Sequence, residues 1–201
     1  MRCMEQRRVI MLGLIPAVLA TAACSSPGAK ATSQPAPSQI VTATRSAAPA
    51  QDFVSKRYGF RLTLTKDWSG SDAQSGWDGK QLQGLQSPVF ADFTDKVTYR
   101  AFVAAAAPVP KGTQLATWRA AMVRAAPSAC TESPSAERTT LGGEPALAWT
   151  ATCSDGYEVN KLAALHGNRG YMTLLASVQG SGKAEDARTF ESIRQSFRFT
   201  S

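Results

Sequence analysis

Histidine occurs once in this 201-residue chain and cysteine four times, so ligands for a metal centre are scarce. Acids number 15 against 22 Lys plus Arg, a net +7, and charged residues make up only 18% of the chain. The basic excess is scattered rather than gathered into a stripe, which argues against a nucleic-acid binder. The G-x-S-x-G turn that carries a hydrolase nucleophile is missing. The apolar run at residues 9–20 covers 12 positions, short of what a bilayer-spanning helix needs. What the chain does have is 43% hydrophobic residues, in a length that suits one domain with a packed core.

The first residues read as an export signal. Arg2, Arg7 and Arg8 precede the apolar run, and Thr21, Ala22 and Ala23 lead to Cys24. A cysteine after small residues at this point resembles the lipobox of bacterial lipoproteins, in which the thiol receives a diacylglyceryl group. Thr21 stands where Leu is usual, and Ala20-Thr21-Ala22 also fits ordinary cleavage after Ala22. Lipidation at Cys24 would place the protein in the cell envelope, at the outer face of the cytoplasmic membrane. Residues 25–51 hold 19 Pro, Ala, Ser or Thr out of 27, with almost nothing to bury. Residues 1–23 are thus read as signal peptide, 24–51 as lipidated cysteine and tether, and 52–201 as the folded domain.

Cys3 leaves with the signal, so Cys130 and Cys153 remain for the domain. In an oxidising compartment they are expected to form a disulfide. No C-x-x-C spacing or nearby His supports a reactive thiol instead.

Within the domain, residues 58–65 alternate, putting Tyr58, Phe60, Leu62 and Leu64 on one face of a strand. Residues 66–68 read as a turn and 69–87 as a long loop or weak strands anchored by Trp77, Leu82 and Leu85. Strands follow at 89–93 and 99–103. Thr113 is expected to cap a helix reaching about Ala126, with Leu115, Trp118, Met122 and Ala125 as its apolar stripe. Four strands then come at 137–141, 144–153, 157–165 and 169–178, separated by Gly- and Asp-bearing turns close enough for an antiparallel meander. A last helix carries Ala187, Phe190, Ile193 or Arg194, and Phe197 along one side, and Phe197-Arg198-Phe199 closes as an extended segment. The expectation is an α+β domain, one antiparallel sheet with helices over its apolar face or one on each face.

Three stretches, in this order, resemble the PsbP-like family. They are Tyr58-Gly59-Phe60-Arg61-Leu62 with Lys66-Asp67-Trp68, then Leu141-Gly142-Gly143-Glu144-Pro145-Ala146, then Phe190-Glu191-Ser192-Ile193 with Ser196-Phe197-Arg198. Thr65 stands where that family commonly has Pro. The resemblance covers residues 52–200 and implies an α-β-α sandwich, a central antiparallel sheet flanked by helices. Its members act mainly as binding or assembly modules and share no catalytic residues. Actinobacterial cell-wall lipoproteins of the LpqN and LpqT type carry similar domains.

The remaining candidates have plainer readings. His166, just before the Gly167-Asn168 turn, fits a turn or surface residue better than a general base. Gly180-Ser181-Gly182-Lys183 lacks the first glycine of a P-loop, Ser177 standing there, and Ala184 replaces its Ser/Thr. Asp67, Asp72, Asp78, Asp92 and Asp95 lack calcium-loop spacing and are expected to be solvated loop carboxylates. Trp68, Trp77, Trp118 and Trp149 either fill the core or line a pocket for an apolar ligand. Arg100, Arg119 and Arg124 are expected to be exposed, on faces able to touch anionic envelope components. The expected function is a non-enzymatic module, without cofactor or metal, that docks an envelope protein. A carrier or sensor of a lipid or other small apolar ligand is the alternative, and an envelope hydrolase is the least favoured.

Overall fold

Period-two alternation and glycine turns build the centre of the fold. The computed structural model describes residues 50–80, 87–98, 100–178 and 182–200, all within the unit Arg45–Ser201. Residues 1–23, Cys24 and nearly all of the tether therefore lie outside the described residues, as do Leu82, Leu85, Tyr99, Gly180 and Ser181.

The chain opens with β1 (Ala50–Ser55), β2 (Phe60–Thr65), β3 (Trp68–Ser71), β4 (Ala91–Asp95) and β5 (Ala101–Pro108). After α1 (Leu115–Ala125) come β6 (Cys130–Glu132), β7 (Glu137–Leu141), β8 (Glu144–Cys153), β9 (Tyr157–His166) and β10 (Arg169–Val178). It closes with α2 (Lys183–Ser196) and β11 (Arg198–Phe199). The strand pairs are antiparallel throughout. The architecture is α+β, mostly sheet with two helices.

The single sheet expected from sequence is two. An eight-stranded sheet runs β3-β4-β5-β10-β9-β8-β6, with β7 also paired to β8. A separate three-stranded sheet runs β1-β2-β11. Its first strand takes in Ala50 and Gln51, two residues read above as tether, and Trp68 begins a strand rather than ending a turn.

Aromatic rings lock the small sheet to the large one. Phe60 stacks on Phe197 at 4.8 Å, Phe53 meets Phe93 edge-on at 4.6 Å, and Phe93 lies 5.7 Å from Phe102. On the large sheet, Ala106, Tyr171, Ala164 and Ala146 sit in one cross-strand row on one face. Ala107, Gly170 and Leu165 sit on the other. There Trp118 of α1 lies so close to Gly170 that a Cβ would come within 2.3 Å of the indole. The Trp118 indole N–H donates to the Tyr171 carbonyl at 3.0 Å, and the Tyr171 hydroxyl donates to the Tyr58 carbonyl at 2.7 Å. Buried alanines at 104–107 on β5 leave room for this bulk.

Both helices depart from expectation in detail. The cap position of α1 is Gln114, without a side-chain cap bond, because the Thr113 hydroxyl donates instead to the Pro110 carbonyl at 2.7 Å. On α2, Ala187 is exposed while Asp186 is buried beside Ile193. Asp186 faces inward because Arg100 lies beneath the helix and needs a counter-charge.

Candidate functional site

Two tight turns and the chain end surround a cleft of about 690 Å³, whose lining includes Val54, Lys56, Arg57, His166, Arg169 and Tyr171. The β1–β2 turn reverses at Gly59 (φ 68°) and the β9–β10 turn at Gly167 (φ 58°), left-handed positions that favour glycine. Asp72 braces the first turn from behind. One of its oxygens accepts from the Ser55 hydroxyl at 2.6 Å, and the other accepts the main-chain N–H groups of Lys56 and Arg57 at 2.9 and 3.2 Å.

Backbone carbonyls hold the arginines here. Arg57 donates from Nε to the Ala73 carbonyl at 2.9 Å and from Nη2 to the Gln74 carbonyl at 3.0 Å. Arg169 donates to the Arg57 carbonyl at 3.1 Å. Neutral acceptors fix these guanidinium groups without cancelling their charge, so the cleft is electropositive. Among the described residues, Lys56, Arg57 and Arg169 form no ion pair. Burial pushes the hydroxyls of Tyr58 and Tyr171 above the usual phenol range, while the nearby arginines pull the other way. Both stay protonated, Tyr171 bonded to Tyr58 and Tyr58 to the Val89 carbonyl.

His166 stacks flat on Phe199 at 4.1 Å and its Nδ1 lies 2.9 Å from Glu144 Oε1. The ring is wedged between the two sheets' ends, with Tyr171 at 6.5 Å. The only hydroxyl of a serine in the cleft lining is that of Ser55, which is buried and given to Asp72. The arrangement presents oriented N–H donors to an incoming group.

The other candidates fall apart from this cleft. Arg100 is buried, not exposed as expected, and bonds Asp186 and the Thr98 hydroxyl. Arg119 is half-buried, 5.3 Å over the Trp149 ring, with a 2.8 Å bond to the Ser133 carbonyl, and only Arg124 is exposed. Of the carboxylates, Asp78 is exposed, but Asp95 is buried and accepts from Val97 N–H at 2.9 Å and the Thr98 hydroxyl. Asp72 and Asp95 tie turns together rather than standing in solvent, and among the described residues no three metal-binding side chains converge. All four tryptophans are buried, Trp77 and Trp118 edge-on at 5.8 Å. Trp68 also touches a groove of about 560 Å³ between β2 and α2, with Leu64, Val97 and Ile193. Lys183 pairs with Glu158 at 2.7 Å, which occupies the amine a phosphate would need. Cys130 and Cys153 face each other across β6 and β8 and are joined by a disulfide.

Two strand faces supply cations that the sequence reading did not connect to the cleft. Val54, Arg61 and Arg198 lie directly opposite one another across β1, β2 and β11. Arg61 falls between the buried Phe60 and Leu62, so its outward direction was readable from alternation. Its neighbour Arg198 comes from the far end of the chain, and no local pattern announces that pairing.

This order of strands, with helices after β5 and β10, is a PsbP-like fold. The solution structure of cyanobacterial PsbP (CyanoP) from Synechocystis sp. PCC 6803 superposes with TM-score 0.52 at 14% identity, over 82% of this chain and 99% of that one. LpqN of Mycobacterium tuberculosis, described as involved in cell envelope biogenesis, superposes with TM-score 0.50 at 12% identity, over 76% of this chain and 91% of that one. No known family profile and no curated protein sequence matches the chain.

Proposed function

We propose that the chain is an exported cell-envelope lipoprotein, anchored through Cys24 at the outer face of the cytoplasmic membrane, whose folded domain is a non-enzymatic docking module for an envelope protein. One observation carries the docking reading: a concave, electropositive cleft whose arginines are oriented by backbone carbonyls, with its serine hydroxyl committed to Asp72. Such a site is built to bind an anionic group, and its serine hydroxyl is not free to attack one. The fold likeness to LpqN, an envelope-biogenesis protein, supports the location.

The helices are best read as the outer layers of an α-β-α sandwich. Trp118 of α1 meets Gly170, whereas Tyr171, the next residue on β10, meets Phe199 of β11, just after α2, from the opposite face. Ala187 and Phe190 of α2 line a cleft with Ala148 and Asn160. The groove beside Trp68 is the place where a carrier would hold an apolar ligand, but Arg100, Arg188 and Glu185 share its lining.

Crosslinking in intact envelopes, followed by gentle extraction and native mass spectrometry of the full chain, tests the reading. A diacylglyceryl mass on Cys24 together with a crosslinked polypeptide is the expected result. A co-purifying small apolar molecule with no polypeptide would establish a carrier instead. An unmodified chain starting at Ala23 would remove the anchor.

A further inference from the structure

We infer that the cleft and the adjoining outer face of the small sheet form one cationic surface that docks an extended, acidic segment of the partner protein. This rests on the docking-module reading and names the chemistry of the partner. Lys56, Arg57 and Arg169 line the cleft, and across the small sheet Arg61 of β2 lies between Val54 of β1 and Arg198 of β11. Five cations from three distant parts of the chain thus lie on the side of the molecule that carries one exposed apolar side chain, Val54 at 51% exposure.

Neutral groups hold three of these cations. Arg198 donates from Nη1 to the carbonyls of Gln195 and Phe197, both at 2.6 Å, as Arg57 and Arg169 do to other carbonyls. Four cations elsewhere are paired with carboxylates, Arg100 with Asp186, Lys161 with Glu132, Lys183 with Glu158 and Arg194 with Glu191, whereas Arg119 is held, like the cleft arginines, by main-chain carbonyls. Among the described residues none of the five has a carboxylate partner. Of the nearby acids, Asp72 is engaged with the turn it braces and Glu144 with His166, while the exposed Asp52, on the same face of the small sheet as Val54 and Arg61, accepts from the Thr63 hydroxyl. Positive charge fixed by neutral groups and left uncompensated is matched by carboxylates from outside.

Two features favour an extended peptide over a lipid surface. The site is concave and admits a protruding chain, and Val54 alone supplies exposed apolar area there, too little for insertion among acyl chains. In addition, β1 is an edge of the three-stranded sheet, so its outer backbone groups are available to an added strand.

The test is fluorescence anisotropy of the full chain with dye-labelled octaglutamate, and octaglutamine as the uncharged counterpart. Octaglutamate binds and octaglutamine does not, and binding weakens steeply toward ~300 mM salt. The triple variant Lys56→Gln, Arg61→Gln, Arg169→Gln weakens binding about tenfold or more, while Lys96→Gln with Arg124→Gln, outside the cleft lining and the small sheet, changes it less than about twofold. Equal losses in the two variants would mean general charge attraction and overturn the proposal. So would failure to bind octaglutamate while vesicles of phosphatidylglycerol and phosphatidylcholine in about equal parts are bound, since that defines a membrane surface. If the triple variant melts early, amide shift changes in the parent on adding octaglutamate decide: they must centre on Val54, Arg61, Arg169 and Arg198. A captured envelope partner whose crosslinks fall elsewhere would refute this surface and leave the docking module standing.

Discussion

Arg100 and Asp92 show how far a single residue's setting departs from its local sequence. Arg100 precedes β5 with no neighbour that marks it as internal, and its partner Asp186 lies 86 positions along the chain. Only the tertiary fold brings them together, so the sequence reading placed Arg100 outside and gave the inward face of α2 to Ala187. Asp92, on β4, is a different case. Burial pushes its carboxyl above the usual carboxylate range, with a bond from the Phe93 N–H pulling it partly back. The folded protein therefore keeps that proton to a higher pH than the unfolded chain, whose value is the ordinary 3.8. Stability falls as pH rises from the ordinary value through the raised one, and returns on acidification. Asp92→Asn should accordingly melt higher than the parent at pH 7, with the gap closing as pH drops below the carboxylate range. A gap that stays constant across a series of thermal melts would show that ionisation is not its cause.

At the scale of elements, legibility followed the length of the pattern. The strands from Glu137 to Val178 were found almost to the residue because long alternating runs alternate with glycine turns, Gly142 and Gly143 among them at φ 60° and 93°. The three-residue β6 and four-residue β3 offer too few positions for a period to show, and β1, though six residues long, is mostly exposed and carries no apolar alternation. The division into two sheets was hidden for another reason. It depends on β11 pairing with β2 from the opposite end of the chain, through Arg198 with Arg61 and Phe199 with Phe60. The short β6 relies on a covalent link, since Cys130 sits at the sheet edge opposite Cys153. Closing a loop of about 24 residues should stabilise the fold by about 3 kcal/mol. The double variant Cys130→Ala, Cys153→Ala is expected to lose that much in urea denaturation, with amide exchange rising first in β6. Unchanged stability would mean that β6 is held by its backbone pairing alone.

Over the whole molecule, the charge reading changed most. The excess of cations is scattered in sequence, yet residues 56, 57, 61, 169 and 198 gather at one end of the small sheet. Their convergence is a product of strand pairing between distant segments, which a scattered excess of cations in the sequence does not announce. The proposed anchor at Cys24 belongs to this scale as well. Cys24→Ser should shift the protein from the membrane fraction to the soluble fraction, and retention on membranes would show that something other than the thiol holds it. The position of β1 adds a mechanical consequence. Ala50, where the chain enters the small sheet, and Lys56, at the cleft, lie at opposite ends of this strand. A pull arriving at Ala50 and resisted by a partner in the cleft runs lengthwise along β1. The cross-strand bonds to β2 lie perpendicular to that pull and share the load in shear, all together, rather than opening one after another like a zip.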